Sequence, residues 1–357
     1  MTDPLEHIKP AVRAMKAYTL TPHTYRYKMN QNENPLGYPP ELKEQVMARI
    51  LEQDWARYPD FDLVELTEAL AGHLGVSPTQ VLVGNGSNEI IYNTMAVTLR
   101  DGDSVVIPIP TFSVYKLVAT VMGATVREPV MRPDTLFALP TDEVIQQAHE
   151  HQARLVVLCT PNNPTGRSVP IEQVRCICRA VDSLVLIDEA YQEFSSQNLL
   201  GLVAEFPNVI LLRTFSKAMA LGGMRVGYCV TNEALAREIH KGKLPYALNA
   251  FSEAAAVVAL QNMPLFQAEV AQILYERDRL YAKLETLRFA HPIPSDANFI
   301  IARFDGFTPQ QVFQHLLERG ILVRDISSNV GLGEYLRLSV GAPQENDALI
   351  EALRELV

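Results

Sequence analysis

The stretch "RTFSKAMALGGMRVGY", residues 213–228, decides how the chain is read. An apolar run, "NVILL" (208–212), delivers it. It holds one lysine, Lys217, beside Ser216 and three residues after Thr214, with the pair Gly222–Gly223 and then Arg225 behind it. Lysine ordinarily keeps its ammonium in water. A lysine at the end of an apolar strand, next to two hydroxyls, is placed to use its amine as a nucleophile and base. The glycine pair lets the backbone pass close by.

Further apolar runs lie on either side: "VLV" (81–83), "SVVIPI" (104–109), "RLVVLC" (154–159), "LVLID" (184–188) and "VGYCV" (226–230). Most are bounded by Gly, Pro, Asn or Asp, and helical stretches separate many of them. Strands apolar on both faces, with helices between, predict an α/β fold around a mostly parallel sheet. Leu63, Leu66, Leu70 and Leu74 recur at helical spacing. After about residue 245 the texture changes. An alanine-rich helical segment (252–288) precedes an α+β pattern: "ANFIIARF", a helix near 308–319, "ILVRD", "YLRLSVG" and a helix from about 344. The expected organisation is an N-terminal arm (1–35), a large domain (36–245) and a smaller α+β C-terminal domain (246–357).

In open α/β sheets ligands gather at the carboxyl ends of strands. Strand 81–83 runs into "GNGSNE", where two glycines permit a tight turn and Ser87 suits the N-cap of a following helix. Free N–H groups at such a helix start receive a phosphate. "PTFSVY" places Phe112 near the same edge, and "TPNNPTG" places Asn163 there. Strand 184–188 ends on Asp188, followed by "EAY" and so Tyr191. Taken alone, each has a plain reading: a capped turn, a core aromatic, a loop, an ion pair. Taken together, a phosphate cup, an aromatic lid, a carboxylate, hydrogen-bond donors and a lysine meet the needs of pyridoxal phosphate. Its aldehyde takes an amine, its ring nitrogen a carboxylate, its 3-oxygen donors and its phosphate N–H groups, hydroxyls and a cation.

These segments, with "NQNENPLG" (30–37), "RYPD" (57–60) and "SDANFI" (295–300), resemble a fold-type I pyridoxal-phosphate aminotransferase of the aspartate aminotransferase superfamily. Within it the likeness is to the histidinol-phosphate aminotransferases. The matching segments run from about residue 30 to 341. The resemblance implies a seven-stranded, mostly parallel sheet flanked by helices in the large domain. It implies Lys217 as the Schiff-base lysine, Asp188 at the ring nitrogen, Asn163 and Tyr191 at the 3-oxygen, and Phe112 stacked on the ring, where a tyrosine is common. Ser87, Asn88, Thr214, Ser216 and Arg225 would hold the phosphate. Tyr58 would reach the neighbouring subunit's phosphate in a homodimer. Substrate contacts would fall to Arg337, Arg324, Asn32 and Tyr18. The reaction implied is ping-pong transamination of L-histidinol phosphate with 2-oxoglutarate.

Alternation in "YLRLSVG" puts Tyr335, Arg337 and Ser339 on one face and Leu336, Leu338 and Val340 on the other. Arg337 is then free to fork onto an acid. For Arg324 the plain alternative is an ion pair with Asp325 or Glu334. Aromatic or broad-specificity aminotransferases of the same fold share every cofactor residue, and a threonine-phosphate decarboxylase-like enzyme would also need phosphate-binding arginines.

The 357 residues are 48% hydrophobic and 20% charged, a globular composition. With 31 basic and 41 acidic residues, the net charge of −10 speaks against nucleic acid, anionic membrane surfaces and a DNA-binding regulator on this fold. Four cysteines, none in a C-x-x-C pair, and eight unpaired histidines give no metal pattern. The start, "MTDPLEHIKP", lacks a signal pattern, so a cytoplasmic protein is expected.

Overall fold

The computed structural model describes residues 3–17, 19 and 21–357. Its strands are β1 (Tyr27–Lys28), β2 (Val81–Asn85), β3 (Ser104–Val106), β4 (Thr125–Arg127), β5 (Leu155–Cys159), β6 (Leu184–Asp188), β7 (Val209–Thr214), β8 (Val226–Thr231), β9 (Ala290–Ile293), β10 (Phe299–Phe304), β11 (Ile321–Leu322), β12 (Arg324–Asp325) and β13 (Tyr335–Ser339). Seven form one sheet in the order β2-β8-β7-β6-β5-β3-β4. Its neighbours are parallel except at β8, which runs against both β2 and β7.

Successive strand residues face opposite sides. Val156, Leu158, Val185, Ile187, Val209 and Leu211 enter one core, while Leu155, Val157, Leu186, Ile210 and Leu212 enter another. Helices 40–51, 64–74, 171–180 and 250–261 close the first core; helices 87–98, 114–122 and 233–240 close the second. Both faces are dry, which explains why these runs lack polar alternation.

The structure departs from the sequence reading in several places. β4 has only Val126 as an apolar residue and sits half-exposed at the sheet edge, so no apolar run marks it. The run 104–109 is a strand only to Val106, because Pro108 and Pro110 interrupt the donors a ladder needs. The helical segment 252–288 is two helices, Ala250–Gln261 and Met263–Glu285, broken at Asn262 with a proline in the second helix's first turn. The first packs into the core of the seven-stranded sheet. The second has Phe266 and Ile273 in that core and Leu280 and Leu284 in the core of the smaller sheet.

The smaller sheet is antiparallel, in the order β12-β13-β10-β9. "ILVRD" does not form one strand: β11 pairs with β1, whereas β12 pairs with β13. Leu336 and Leu338 enter the small core, as alternation requires, and Arg337 faces the other way.

Because β8 is antiparallel, its first residue reaches the rim where β2, β5, β6 and β7 end. The register pairs Asn85 with Val226, Thr214 with Gly227, and Cys159 with Asp188. The helix after β2 starts at Ser87, and its cap is Gly86 at φ 76° rather than Ser87. The reason is the backbone: at φ 76° and ψ 162° a residue with a Cβ is strained, and the approach of Arg225 Nη2 adds to it. Likewise a Cβ on Gly227 would meet the Ser87 backbone nitrogen at 2.2 Å. Gly227→Ala is therefore expected to cost about 2 kcal/mol of unfolding free energy, measured by denaturant titration of the cofactor-free protein. Unchanged stability would contradict this packing.

Candidate active site

The rim opens into a cavity of about 820 Å³ between the large sheet and the smaller one. Lys217 follows β7 and reaches into it from the floor, with Nζ donating to Gln31 O at 2.9 Å and 5.7 Å from the Tyr191 ring centroid. Burial pulls its pKa from an ordinary 10.5 down to about 8, helped by the charge of Arg337 and, less, of Arg225, against Glu33. Of the two cations, Arg337 weighs more than Arg225, although Arg225 is closer in sequence.

Asp188 ends β6 and is 3% exposed. Tyr115 Oη donates to its Oδ2 at 2.7 Å and the Ala190 N–H to its Oδ1 at 2.9 Å. Burial raises its pKa, while Tyr115, Ala190 and Lys217 oppose the rise. The next residue, Glu189, forms a buried ion pair with Arg213 at 2.7 Å, tying the ends of β6 and β7 together on the far side.

At one end of the cavity, Thr214 Oγ1 donates to Ser216 Oγ at 2.9 Å, and Arg225 Nη1 donates to Gly222 O at 3.1 Å and Ser216 Oγ at 3.4 Å. Ser87 and Asn88, in the first helical turn, line the same cavity. N–H groups of a first turn have no intrahelical partner, so hydroxyls, N–H groups and a guanidinium converge. Phe112 lines the wall, edge-on to Tyr115 at 5.6 Å and 85°.

On the opposite side, Arg337 comes from β13. Its Nη1 donates to Asn163 Oδ1 at 2.6 Å and its Nη2 to Asn30 O at 2.7 Å. Tyr191 Oη accepts from Asn32 Nδ2 at 3.1 Å. Asn32 is 1% exposed at φ 54°, and Ser339 Oγ and Asn298 Nδ2 grip its side chain and carbonyl. Its amide is thus committed to holding Tyr191. Arg324 lines the cavity and, among the described residues, makes no ion pair with Asp325 or Glu334.

An amine of lowered pKa, a dry carboxylate and an anion cup in one cavity fit a group bearing an aldehyde, a basic ring nitrogen and a phosphate. Comparison with known proteins agrees. The family model "Aminotransferase class I and II" matches residues 27–353. The chain belongs to that family.

Among these aminotransferases, the histidinol-phosphate aminotransferase of Prosthecochloris aestuarii is 40% identical over 351 residues, 98% of this chain and 97% of the relative. The histidinol-phosphate aminotransferase of Chlorobaculum tepidum is 38% identical over 351 residues, 98% of this chain and 100% of the relative. The solved histidinol-phosphate aminotransferase of Sinorhizobium meliloti, in complex with pyridoxal 5′-phosphate, superposes with a TM-score of 0.88 over 98% of each chain at 23% identity.

Tyr18 lies outside the described residues. Tyr58 does not line the cavity of its own chain; it is 79% exposed and stacks on Tyr246 at 4.5 Å. The sequence reading passed over Tyr115, although "PTFSVY" places it three residues after Phe112, one helical turn on.

In the cofactor-free protein, capture of an aldehyde reagent at Lys217 should rise with pH around a midpoint near 8. Arg337→Gln should move that midpoint upward, because losing a neighbouring positive charge lets the ammonium persist. A wild-type midpoint at the ordinary lysine value, ~10.4, would contradict the arrangement.

Proposed function

We propose that the protein is a pyridoxal-phosphate-dependent aminotransferase that takes the amino group of L-histidinol phosphate and passes it to 2-oxoglutarate, a step of histidine biosynthesis. The observation that carries this is the meeting of Lys217 and the buried Asp188 in one cavity that two arginines, Arg324 and Arg337, also line. The full-length likeness to histidinol-phosphate aminotransferases supports the substrate.

Bound pyridoxal phosphate supplies an aldehyde carbon for amines and a ring that accepts the electron pair left when a substrate α-proton departs. The remaining work belongs to this chain. Lys217 Nζ would be the attachment point, and a pKa lowered to about 8 leaves far more of the free amine neutral near neutrality than an ordinary lysine has, though still a minority. With the cofactor bound, the free amine of Lys217 would be the base that takes the substrate's α-proton. Asp188 would hold the ring nitrogen and keep a proton there. Asn163 and Tyr191 would hold the 3-oxygen, Phe112 would stack on the ring, and Ser87, Asn88, Thr214, Ser216 and Arg225 would hold the phosphate. Asn32 aims Tyr191 through the hydrogen bond between them. Arg337 and Arg324 receive the substrate's phosphate or the acceptor's carboxylate, as a dianion calls for more than one cation.

The active unit in this reading is a homodimer. Tyr58, Phe61 and Tyr246 stack together as an exposed aromatic cluster, and Leu51, Trp55 and Leu244 are exposed as well; a second copy would cover such apolar surface. Tyr58 on that face would then complete the partner's phosphate cup. Four free cysteines suit a reducing compartment, so the cytoplasm is the proposed location. No described helix is long and apolar enough to cross a membrane.

Single-turnover reaction of the cofactor-loaded protein with a panel of amines tests the substrate. Histidinol phosphate should outpace phenylalanine, and Arg324→Gln should weaken histidinol phosphate about tenfold or more while affecting phenylalanine less. Preference for phenylalanine, or release of CO₂ from threonine phosphate, would contradict the assignment. For the dimer, mixing Lys217→Ala with Tyr58→Ala chains should restore activity that neither has alone. Absence of complementation among verified mixed dimers would place Tyr58 outside the site.

A further inference from the structure

We propose that Tyr115 is a positioning residue for this reaction, its hydroxyl holding and orienting the Asp188 carboxylate toward the ring nitrogen of the cofactor. The inference rests on the reading that Asp188 faces that nitrogen.

Tyr115 is 0% exposed, in the first turn of the helix Val114–Met122. Nothing about packing alone requires a hydroxyl there, since the neighbours of that core are apolar. The phenol nevertheless spends its proton on Asp188 Oδ2, at 2.7 Å. The other carboxylate oxygen accepts the Ala190 N–H. One donor comes from the chain just past β6 and the other from a helix on the opposite wall. The carboxylate cannot rotate without losing both bonds. Each oxygen keeps a second lone pair, so a third donor can still be accepted from the cavity.

The choice of a phenol matters. A buried carboxylate drifts toward its neutral acid unless something favours its charge. Around Asp188, burial raises the pKa, and the Tyr115 hydroxyl is the largest opposing influence, ahead of Ala190 and Lys217. Cys159 on the adjoining strand and Tyr191 lie close enough to feel its charge, and so does Glu189, on the other side of the strand end. An arginine or lysine at 115 would favour the carboxylate too, but as a full ion pair it would compete with the protonated ring nitrogen. A neutral donor supports the negative charge and leaves it for the ring. Burial and the charge of Asp188 push the phenol's own pKa well above its usual value, so it remains a donor throughout the working pH range. The helix also presents its aromatic face in order: Phe112 toward the cavity and Tyr115 edge-on beneath it.

The test compares Tyr115→Phe, Asp188→Asn and the double variant, all as holoenzyme, in pH–rate profiles and in pH titration of the bound cofactor's absorption. Losing a hydrogen bond to a charged group should lower kcat about tenfold or more, with little change in KM, because the lost bond does not touch substrate. Without the hydroxyl the carboxylate protonates more readily, so the acid limb of the profile should move to higher pH. Fluorotyrosine at 115, a stronger donor of the same shape, should move it to lower pH; this arm also serves if Tyr115→Phe folds poorly. In the Asp188→Asn background, Tyr115→Phe should have no further effect. If Tyr115→Phe changes only thermal stability, or its effects simply add to those of Asp188→Asn, the hydroxyl is a packing feature and the inference fails. If Asp188→Asn itself leaves the cofactor's titration unchanged, the assignment of Asp188 fails first, and the inference with it.

Discussion

Removal of the Lys217 ammonium from water is the constraint on which the rest of the site depends. A free lysine is almost wholly charged at neutral pH and cannot attack a carbonyl. Here the amine is set against a wall of sheet and loop, with Arg337 across the cavity repelling its charge. That position exists only because β7 and β8 bracket the loop 215–225 and deliver both Lys217 and Arg225 to the rim where the parallel strands end. The single antiparallel strand in the large sheet is what folds the phosphate end back onto the start of the helix after β2. Gly86 and Gly227 leave room for that approach.

Desolvation that suits an amine threatens a carboxylate in the same cavity, since burial favours the neutral form of each. The molecule resolves this with different partners. Lys217 faces cations, which press it toward neutrality, whereas Asp188 receives hydrogen bonds, which favour its charge. Two titratable groups with opposite needs therefore share one cavity. Across the cavity Arg337 is tied to Asn163 and to the Asn30 carbonyl, so one cation is fixed to two different loops lining the cavity.

Much of this was legible in the chain. Asp188, Asn163, Thr214 and Lys217 each follow an apolar run, and in an open sheet such residues meet at one rim. The position of Arg337 followed from strict alternation in β13. Other features depend on contacts that no local pattern carries. Tyr115 begins a helix and looks like any core aromatic until Asp188 is seen beside it. Asn32 is expected at the substrate by resemblance, yet its amide is used to hold Tyr191 and its backbone is clamped by Ser339, about three hundred residues away in sequence. The break at Asn262 was hidden because alanine-rich sequence satisfies helical spacing on both sides of it. "ILVRD" reads as one strand, and only tertiary pairing divides it between two sheets.

The account stands or falls on covalent attachment at one amine. Borohydride reduction of the cofactor-loaded protein, followed by proteolysis and mass mapping, measures this directly. A single adduct on the peptide containing Lys217, lost in Lys217→Ala, is the result expected. An adduct on a different lysine, or none after incubation with the cofactor, would contradict it.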